Sequence, residues 1–95
     1  MQLENKNAVI YGAGGVIGGA VAQAFAREGA KGFLTGRTPG PLATVAGKIK
    51  DAGGSVETAI VDALNKRAIE QHLAGVVDQE GKIDISFNAV GVYHL

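Results

Sequence analysis

The fold prediction starts from one segment, residues 11–20, which reads Tyr11-Gly12-Ala13-Gly14-Gly15-Val16-Ile17-Gly18-Gly19-Ala20. A short apolar run from Asn7 to Tyr11 precedes its glycines and suits a strand that is buried on both faces. Apolar residues recur at helical spacing after the glycines, as far as Gly29, where a helix C-cap is expected. The segment therefore predicts a strand, a glycine-rich turn and a helix.

The same alternation continues to the end of the chain. Apolar, β-forming runs predict three further strands at Gly32 to Thr35, Val56 to Val61 and Ile83 to Phe87. Two more helices are predicted between them, because apolar residues repeat at helical spacing in both intervals: at i, i+3, i+4 and i+7 from Leu42 to Ile49, and in a stripe from Ile69 to Val77. Pro41 suits the first turn of one helix, and Asn65 suits the N-cap of the other. The order β-α-β-α-β-α-β predicts an α/β fold, a truncated three-layer Rossmann-type parallel sheet with right-handed crossovers. Two helices should cover one face and the third helix the other, with the fourth strand at an open edge.

Composition limits the class of protein. The 95 residues are 46% hydrophobic and 19% charged, which is a globular balance. Nine Lys and Arg residues against nine Asp and Glu residues give a net charge of +0, so nothing favours binding to nucleic acid or an anionic membrane. The lack of cysteine and the two distant histidines argue against a metal site. Without a signal peptide or an apolar span, a cytoplasmic protein is expected.

The glycine-rich turn is predicted to bind a dinucleotide. A helix that opens after a strand leaves N–H groups without partners at its N-terminus, and the helix dipole adds positive potential that suits a pyrophosphate. The spacing fits G-x-x-G-x-x-G, whereas Ile17 breaks the stricter G-x-G-x-x-G. The candidate cofactor contacts here are Gly12, Gly14, Gly15, Val16, Ile17 and Gly18. Close packing between the helix and the strand is the alternative explanation.

Two later positions bear on which dinucleotide binds. Arg37 and Thr38 follow the second strand, where an arginine accommodates the 2′-phosphate of NADP and an acidic residue favours NAD. No carboxylate lies between Glu28 and Asp51, so NADP(H) is predicted over NAD(H); a solvated loop cation is the alternative for Arg37. Asp62 follows the third strand and can accept from the adenine amine or favour the next helix N-terminus. Both alternatives for Asp62 stay open.

These residues together resemble the short-chain dehydrogenase/reductase family, whose N-terminal half carries T-G-x-x-x-G-x-G, an Asp after the third strand and N-N-A-G after the fourth. Gly12 and Gly18 match the outer glycines, and Asp62 matches the adenine-contacting Asp. Asn88 and Gly91 match the first Asn and the Gly of N-N-A-G, which implies that they are cofactor-binding residues. The chain departs from the family pattern at Tyr11, Val16, Ala89 and Val90.

The resemblance implies hydride transfer between NAD(P) and a carbonyl/alcohol substrate. In the family the catalytic Ser and Tyr-x-x-x-Lys lie beyond the fourth strand, and neither Tyr11 nor Tyr93 has a lysine four residues on. No catalytic residue is assigned, His72 and His94 are interpreted as surface residues, and the chain alone is expected to be inactive. We expect residues 1–95 to be the N-terminal part of a single Rossmann domain, which continues into a C-terminal half or self-associates. The alternative is a non-catalytic dinucleotide-binding or assembly module.

Overall fold

The computed structural model describes residues 2–89, in which four strands alternate with three helices. The strands are β1 (Asn7–Tyr11), β2 (Lys31–Gly36), β3 (Ser55–Ile60) and β4 (Ile85–Asn88). The helices are α1 (Val16–Arg27), α2 (Pro39–Asp51) and α3 (Lys66–Glu80). The predicted order of elements is confirmed.

The four strands form one parallel sheet in the order β3-β2-β1-β4. Tyr11 pairs with Thr35 on one side and with Asn88 on the other, so β1 is central and β4 lies at an edge of the described sheet. β4 starts at Ile85, two residues later than predicted. Just before it, the Asn7 N–H donates to the side-chain Oδ2 of Asp84, at 2.8 Å, and not to a backbone carbonyl of a strand. Because all the strand pairings are parallel, the four strands end at the same edge of the sheet.

The residues of β1 alternate between the two faces of the sheet, as the side-chain period of a strand requires. Ala8 and Ile10 belong to the larger core, which includes Leu42 of α2 and Ala22 of α1. The smaller core on the other face is formed by Val9, Tyr11, Phe33 and Val76. Two helices cover one face and α3 covers the other, as predicted.

Polar contacts fix both ends of α3. Asn65 is its N-cap, as predicted, and its side chain accepts from the Ala68 N–H at 3.1 Å. At the other end, Lys31 Nζ lies 2.8 Å from a Glu80 oxygen and 3.2 Å from a Glu57 oxygen. Hydrogen bonding to Glu80 raises the pKa of Lys31, and the same bond lowers the pKa of Glu80. The helix is thus tied to β2 and β3 near their amino ends.

The longest described helix, α3, has 15 residues. Within residues 2–89 no helix combines the length and the apolar character that a membrane crossing needs.

Candidate functional site

The carboxyl edge of the sheet brings together the site residues predicted from the sequence. The glycine turn follows β1, Arg37 and Thr38 follow β2, Asp62 follows β3, and Asn88 is the last residue of β4. A pocket of about 190 Å³ lies at this edge and is lined by Gly12, Gly14, Gly15, Gly36, Arg37, Thr38 and Pro41. We call it the edge pocket. The predicted phosphate turn and the predicted ribose contacts thus line one cavity.

The glycine turn is held in place by its own backbone and by β2. The Ala13 N–H donates to Thr35 O at 2.9 Å, and the Gly15 N–H donates to Gly12 O at 3.1 Å. Gly12 has a φ of 75°, a left-handed conformation that a residue with a Cβ rarely adopts. Two backbone hydrogen bonds and the left-handed Gly12 therefore define the shape of the turn.

The N-terminus of α1 follows this turn directly, and within residues 2–89 no loop or strand accepts from its first N–H groups. Gly15 is the N-cap and provides no side chain, and the first intrahelical bond runs from Gly19 N to Gly15 O at 2.8 Å. The N–H groups of Val16, Ile17 and Gly18 consequently have no acceptor within the helix. The first turn of α1 carries no acidic residue, so no carboxylate of this turn offsets the positive end of the helix dipole. These features fit a bound pyrophosphate.

The glycines of the turn differ in what surrounds them. A Cβ on Gly18 would lie 2.2 Å from Gly12 O, and a Cβ on Gly19 would lie 3.1 Å from Val45 Cγ2. A Cβ on Gly15 would only reach ordinary contact, 3.5 Å from Gly12 O. Gly18 and Gly19 therefore permit close packing, which was the alternative explanation for the cluster, whereas Gly15 faces the edge pocket.

Arg37 and Thr38 have side chains that are open to a ligand. Both are exposed, and none of the hydrogen bonds or ion pairs found within residues 2–89 involves Arg37. Thr38 is the N-cap of α2, but its side chain makes no capping hydrogen bond. Thr35 lies just before them, is fully buried and donates its hydroxyl to Ile10 O at 3.3 Å. A rigid strand end thus presents one cation and one hydroxyl to the edge pocket.

Asp62 follows β3, as predicted, but it lies two residues beyond the end of the strand, because β3 ends at Ile60 and not at Val61. Its Oδ1 accepts from the Leu64 N–H at 2.9 Å, and its carbonyl accepts from the Asn65 N–H at 2.9 Å. These bonds close a turn before α3, whose first turn holds no acidic residue. The carboxylate is exposed and already fixed in direction.

Asn88 is exposed and pairs with Tyr11 across the sheet, which puts it beside the glycine turn. The Ala89 N–H donates to Tyr11 O at 3.0 Å and continues that pairing by one residue. The predictions for Gly91, Tyr93 and His94 fall outside the described residues.

The side chains of Tyr11 and His72 form a contact that no sequence prediction above includes. Tyr11 is 3% exposed, as expected for a strand end, but His72 is not the surface residue that was predicted: its Nδ1 is buried. The two rings meet edge to face, with centroids 6.4 Å apart, and neither Tyr11 Oη nor His72 Nδ1 has a hydrogen-bond partner within residues 2–89. Burial raises the pKa of Tyr11 and lowers that of His72. The burial of His72 could have been predicted from helical spacing, because His72 lies three residues after Ile69 and four before Val76, on the apolar side of α3.

A cavity larger than the edge pocket lies elsewhere, between the C-terminal ends of α1 and α2. Its volume is about 470 Å³, and its lining includes Arg27, Lys48 and Gly53. It is far from the glycine turn and contains none of the predicted site residues. In the part of the chain that the structure describes, no group of three His, Asp or Glu residues could hold a metal ion.

Comparison with known proteins gives concordant matches. The family model described as short chain dehydrogenase matches residues 6–95. An uncharacterized oxidoreductase of Staphylococcus saprophyticus is 38% identical over 93 residues, which are 97% of this chain and 40% of that protein. A metagenomic short-chain oxidoreductase solved in complex with NADP is 34% identical with a TM-score of 0.91, over 97% of this chain and 42% of that one. A xylitol dehydrogenase solved with bound NAD+ is 28% identical with a TM-score of 0.89, over 97% and 35%.

Proposed function

Because the chain belongs to the short chain dehydrogenase family, we propose that it forms the N-terminal, cofactor-binding part of a single Rossmann domain in an NAD(P)-dependent oxidoreductase. The chain spans about two-fifths of the length of the relatives described above, so the activity of the whole protein belongs to this proposal. The observation that carries the proposal is the edge pocket, which is lined both by Gly15, the N-cap of α1, and by Arg37, which has no ion-pair partner within residues 2–89.

Each part of the site has a proposed role in holding the dinucleotide. The N–H groups of Val16, Ile17 and Gly18 bind the pyrophosphate, with Gly15 leaving room for its oxygens. Asp62 accepts from the exocyclic amine of adenine. A bound dinucleotide would supply or accept the hydride, for a carbonyl or alcohol substrate.

Asn88 and Gly91 are proposed to contact the cofactor beyond β4. Asn88 reaches the glycine turn through its pairing with Tyr11, which supports this role. Residues 1–95 contain no Tyr-x-x-x-Lys, so the proposal assigns the proton transfer of the reaction to no residue of this chain.

We further propose that the cofactor is NADP(H) rather than NAD(H). Arg37 follows β2, lines the edge pocket and has no ion-pair partner within residues 2–89, so its charge is available to a ribose 2′-phosphate. A hydrogen bond to a charged group contributes about 1.5–3 kcal/mol. That range corresponds to a preference of about 10- to 150-fold for NADPH over NADH.

Fluorescence titration of NADPH and NADH tests the proposal. We expect wild-type protein to bind NADPH more tightly, and Arg37→Gln to weaken NADPH binding while NADH binding stays the same. Arg27→Gln is the matched control, because Arg27 lines the large cavity between the C-terminal ends of α1 and α2 and should leave both affinities unchanged. Equal binding of the two cofactors by wild-type protein would contradict the NADP preference, and no binding of either would contradict cofactor binding itself.

Three further expectations remain predictions: a cytoplasmic location, inactivity of the 95-residue chain by itself, and self-association or continuation beyond β4. The last is supported by the edge position of β4 in the described sheet, where Ile85 and Phe87 are only partly buried. Sedimentation of the chain at several concentrations would reveal self-association.

A further inference from the structure

The contact between His72 and Tyr11 joins the middle of α3 to the central strand of the sheet. His72 Nδ1 is buried and has no hydrogen-bond partner within residues 2–89, and its ring meets that of Tyr11 edge to face. A proton added to His72 would place a charge at a buried site, which is costly unless another group compensates it. Burial lowers the pKa of His72 for this reason, with no contribution from a neighbouring charge. The contact therefore requires a neutral imidazole.

The titratable groups that face His72 come from β1 and β3. On β1 the group is the Tyr11 hydroxyl, whose pKa is raised by burial, so it stays neutral in acid. On β3 the group is the Glu57 carboxylate, which lines the same pocket of about 250 Å³ as His72. Its oxygen already lies 3.2 Å from Lys31 Nζ and 2.6 Å from Gln79 Nε2. Neither β2 nor the rest of α3 adds a titratable side chain to this pocket, so its lining holds no free carboxylate that would compensate a charge on His72.

Buried side chains hold α3 to the sheet only near its C-terminal half. Val76 is the one buried residue among its 15, whereas α2 buries four of its 13. No residue in 66–73 is fully buried. The C-terminal end is also tied by the ion pair between Lys31 and Glu80, at 2.8 Å. The bond to Lys31 lowers the pKa of Glu80, so this pair stays charged in mild acid.

We propose that α3 is a pH-operated element, in which protonation of His72 breaks the contact with Tyr11 and releases residues 66–73 from the sheet. The ion pair between Lys31 and Glu80 then holds the C-terminal end of the helix in place. Residues 66–73 follow directly on the turn that holds Asp62, so acid also loosens the proposed adenine contact, a consequence that rests on the proposed function.

Hydrogen exchange of backbone amides, followed by NMR at pH 7.5 and 5.5 and corrected for intrinsic exchange rates, measures how often each helix opens. A released imidazole titrates near the ordinary pKa of 6.5, so the opening equilibrium of α3 should rise by up to about ten-fold between these pH values. We expect this opening to depend little on low concentrations of urea, because it exposes little surface, whereas amides of α2 should exchange only through larger, urea-dependent unfolding.

His72→Gln and His72→Leu, neither of which titrates, should both remove the pH dependence of exchange in α3. His94→Gln is the matched control, since His94 is the other histidine of the chain, and it should keep that dependence. The inference is overturned if α3 and α2 share one opening equilibrium and one urea dependence. It is also overturned if acid opens α3 equally in wild-type protein and in the His72 variants.

Saturating NADPH tests the link to the cofactor site. A ligand that binds the closed form favours it, so NADPH should slow exchange in α3 at pH 5.5. If NADPH binds and gives no such protection, the link between α3 and the cofactor site is wrong. If NADPH does not bind even at pH 7.5, the proposed function is contradicted, and exchange without cofactor still decides whether acid releases α3.

Discussion

Gly18 is the position at which a single methyl group should disturb both the fold and the site. A Cβ there would lie 2.2 Å from Gly12 O and 2.8 Å from Gly12 C. Ordinary contact begins near 3.4 Å, so the helix and the turn would have to separate by about 1 Å. The obstacle is backbone, and the Gly15 N–H to Gly12 O bond together with the Ala13 N–H to Thr35 O bond prevents the turn from moving aside.

The size of the effect follows from two opposing contributions. Replacing glycine by alanine within a helix usually stabilises it by about 1 kcal/mol. Overpacking costs about 1–3 kcal/mol, and occasionally more. Since the clash at Gly18 is with a fixed carbonyl, we take the upper end of that range and expect Gly18→Ala to lower the free energy of unfolding by about 2 kcal/mol. A domain of this size loses about 4–8 °C in Tm per kcal/mol, so Tm should fall by about 8–16 °C.

Thermal unfolding followed by circular dichroism at 222 nm measures the change. Gly47→Ala is the matched control, because Gly47 lies inside α2 and a Cβ there would meet nothing within 4 Å. This variant should keep the helix-propensity gain and melt at or slightly above the wild-type temperature. If Gly18→Ala melts as high as the wild type, the close approach of α1 to the turn is not what requires glycine at this position.

Two further predictions concern α3. Asn65→Ala removes the acceptor for the Ala68 N–H and should lower the free energy of unfolding by about 1 kcal/mol in urea titrations, whereas Asn65→Asp, which keeps the acceptor, should stay close to wild type. His72 has a pKa below its usual 6.5, so the unfolded chain takes up the proton first and stability should fall as the pH drops below about 6.5, by at most about 1.4 kcal/mol per pH unit. His72→Leu should remove this contribution between pH 7.5 and 5; equal acid sensitivity of the two proteins would show that His72 is not its source.

The order of the elements could be predicted because each one carries a strong periodic signal. The buried run in β1 and the i, i+3, i+4, i+7 pattern of α2 leave few alternatives, and Leu42 and Ile49 are buried as that pattern requires. The start of β4 could not be predicted, because it depends on Asp84. Its carboxylate accepts from a backbone N–H 77 residues earlier in the chain, a contact that no local pattern reveals.

The positions of candidate site residues could be predicted where the order and direction of the strands determine them. Parallel strands end at one edge, so residues after β1 and β2 had to meet there, and the edge pocket joins the glycine turn to Arg37 and Thr38. The environment of His72 was harder to predict. Its place on the apolar side of α3 could be counted from the sequence, but its contact with Tyr11 depends on how α3 rotates against the sheet.

The glycine cluster shows why spacing alone does not assign a role. Glycines at 12, 15 and 18 satisfy one sequence pattern, yet the three positions differ in backbone conformation and in surroundings. Gly12 adopts a left-handed conformation, and Gly18 lets a helix approach a carbonyl closely, so both would be required with no ligand present. Gly15 has neither a left-handed conformation nor a close backbone contact, and it lines the edge pocket. Of the three, Gly15 is therefore the position at which an added side chain would affect the proposed cofactor before it affects the fold, so substitutions there separate binding from folding most cleanly.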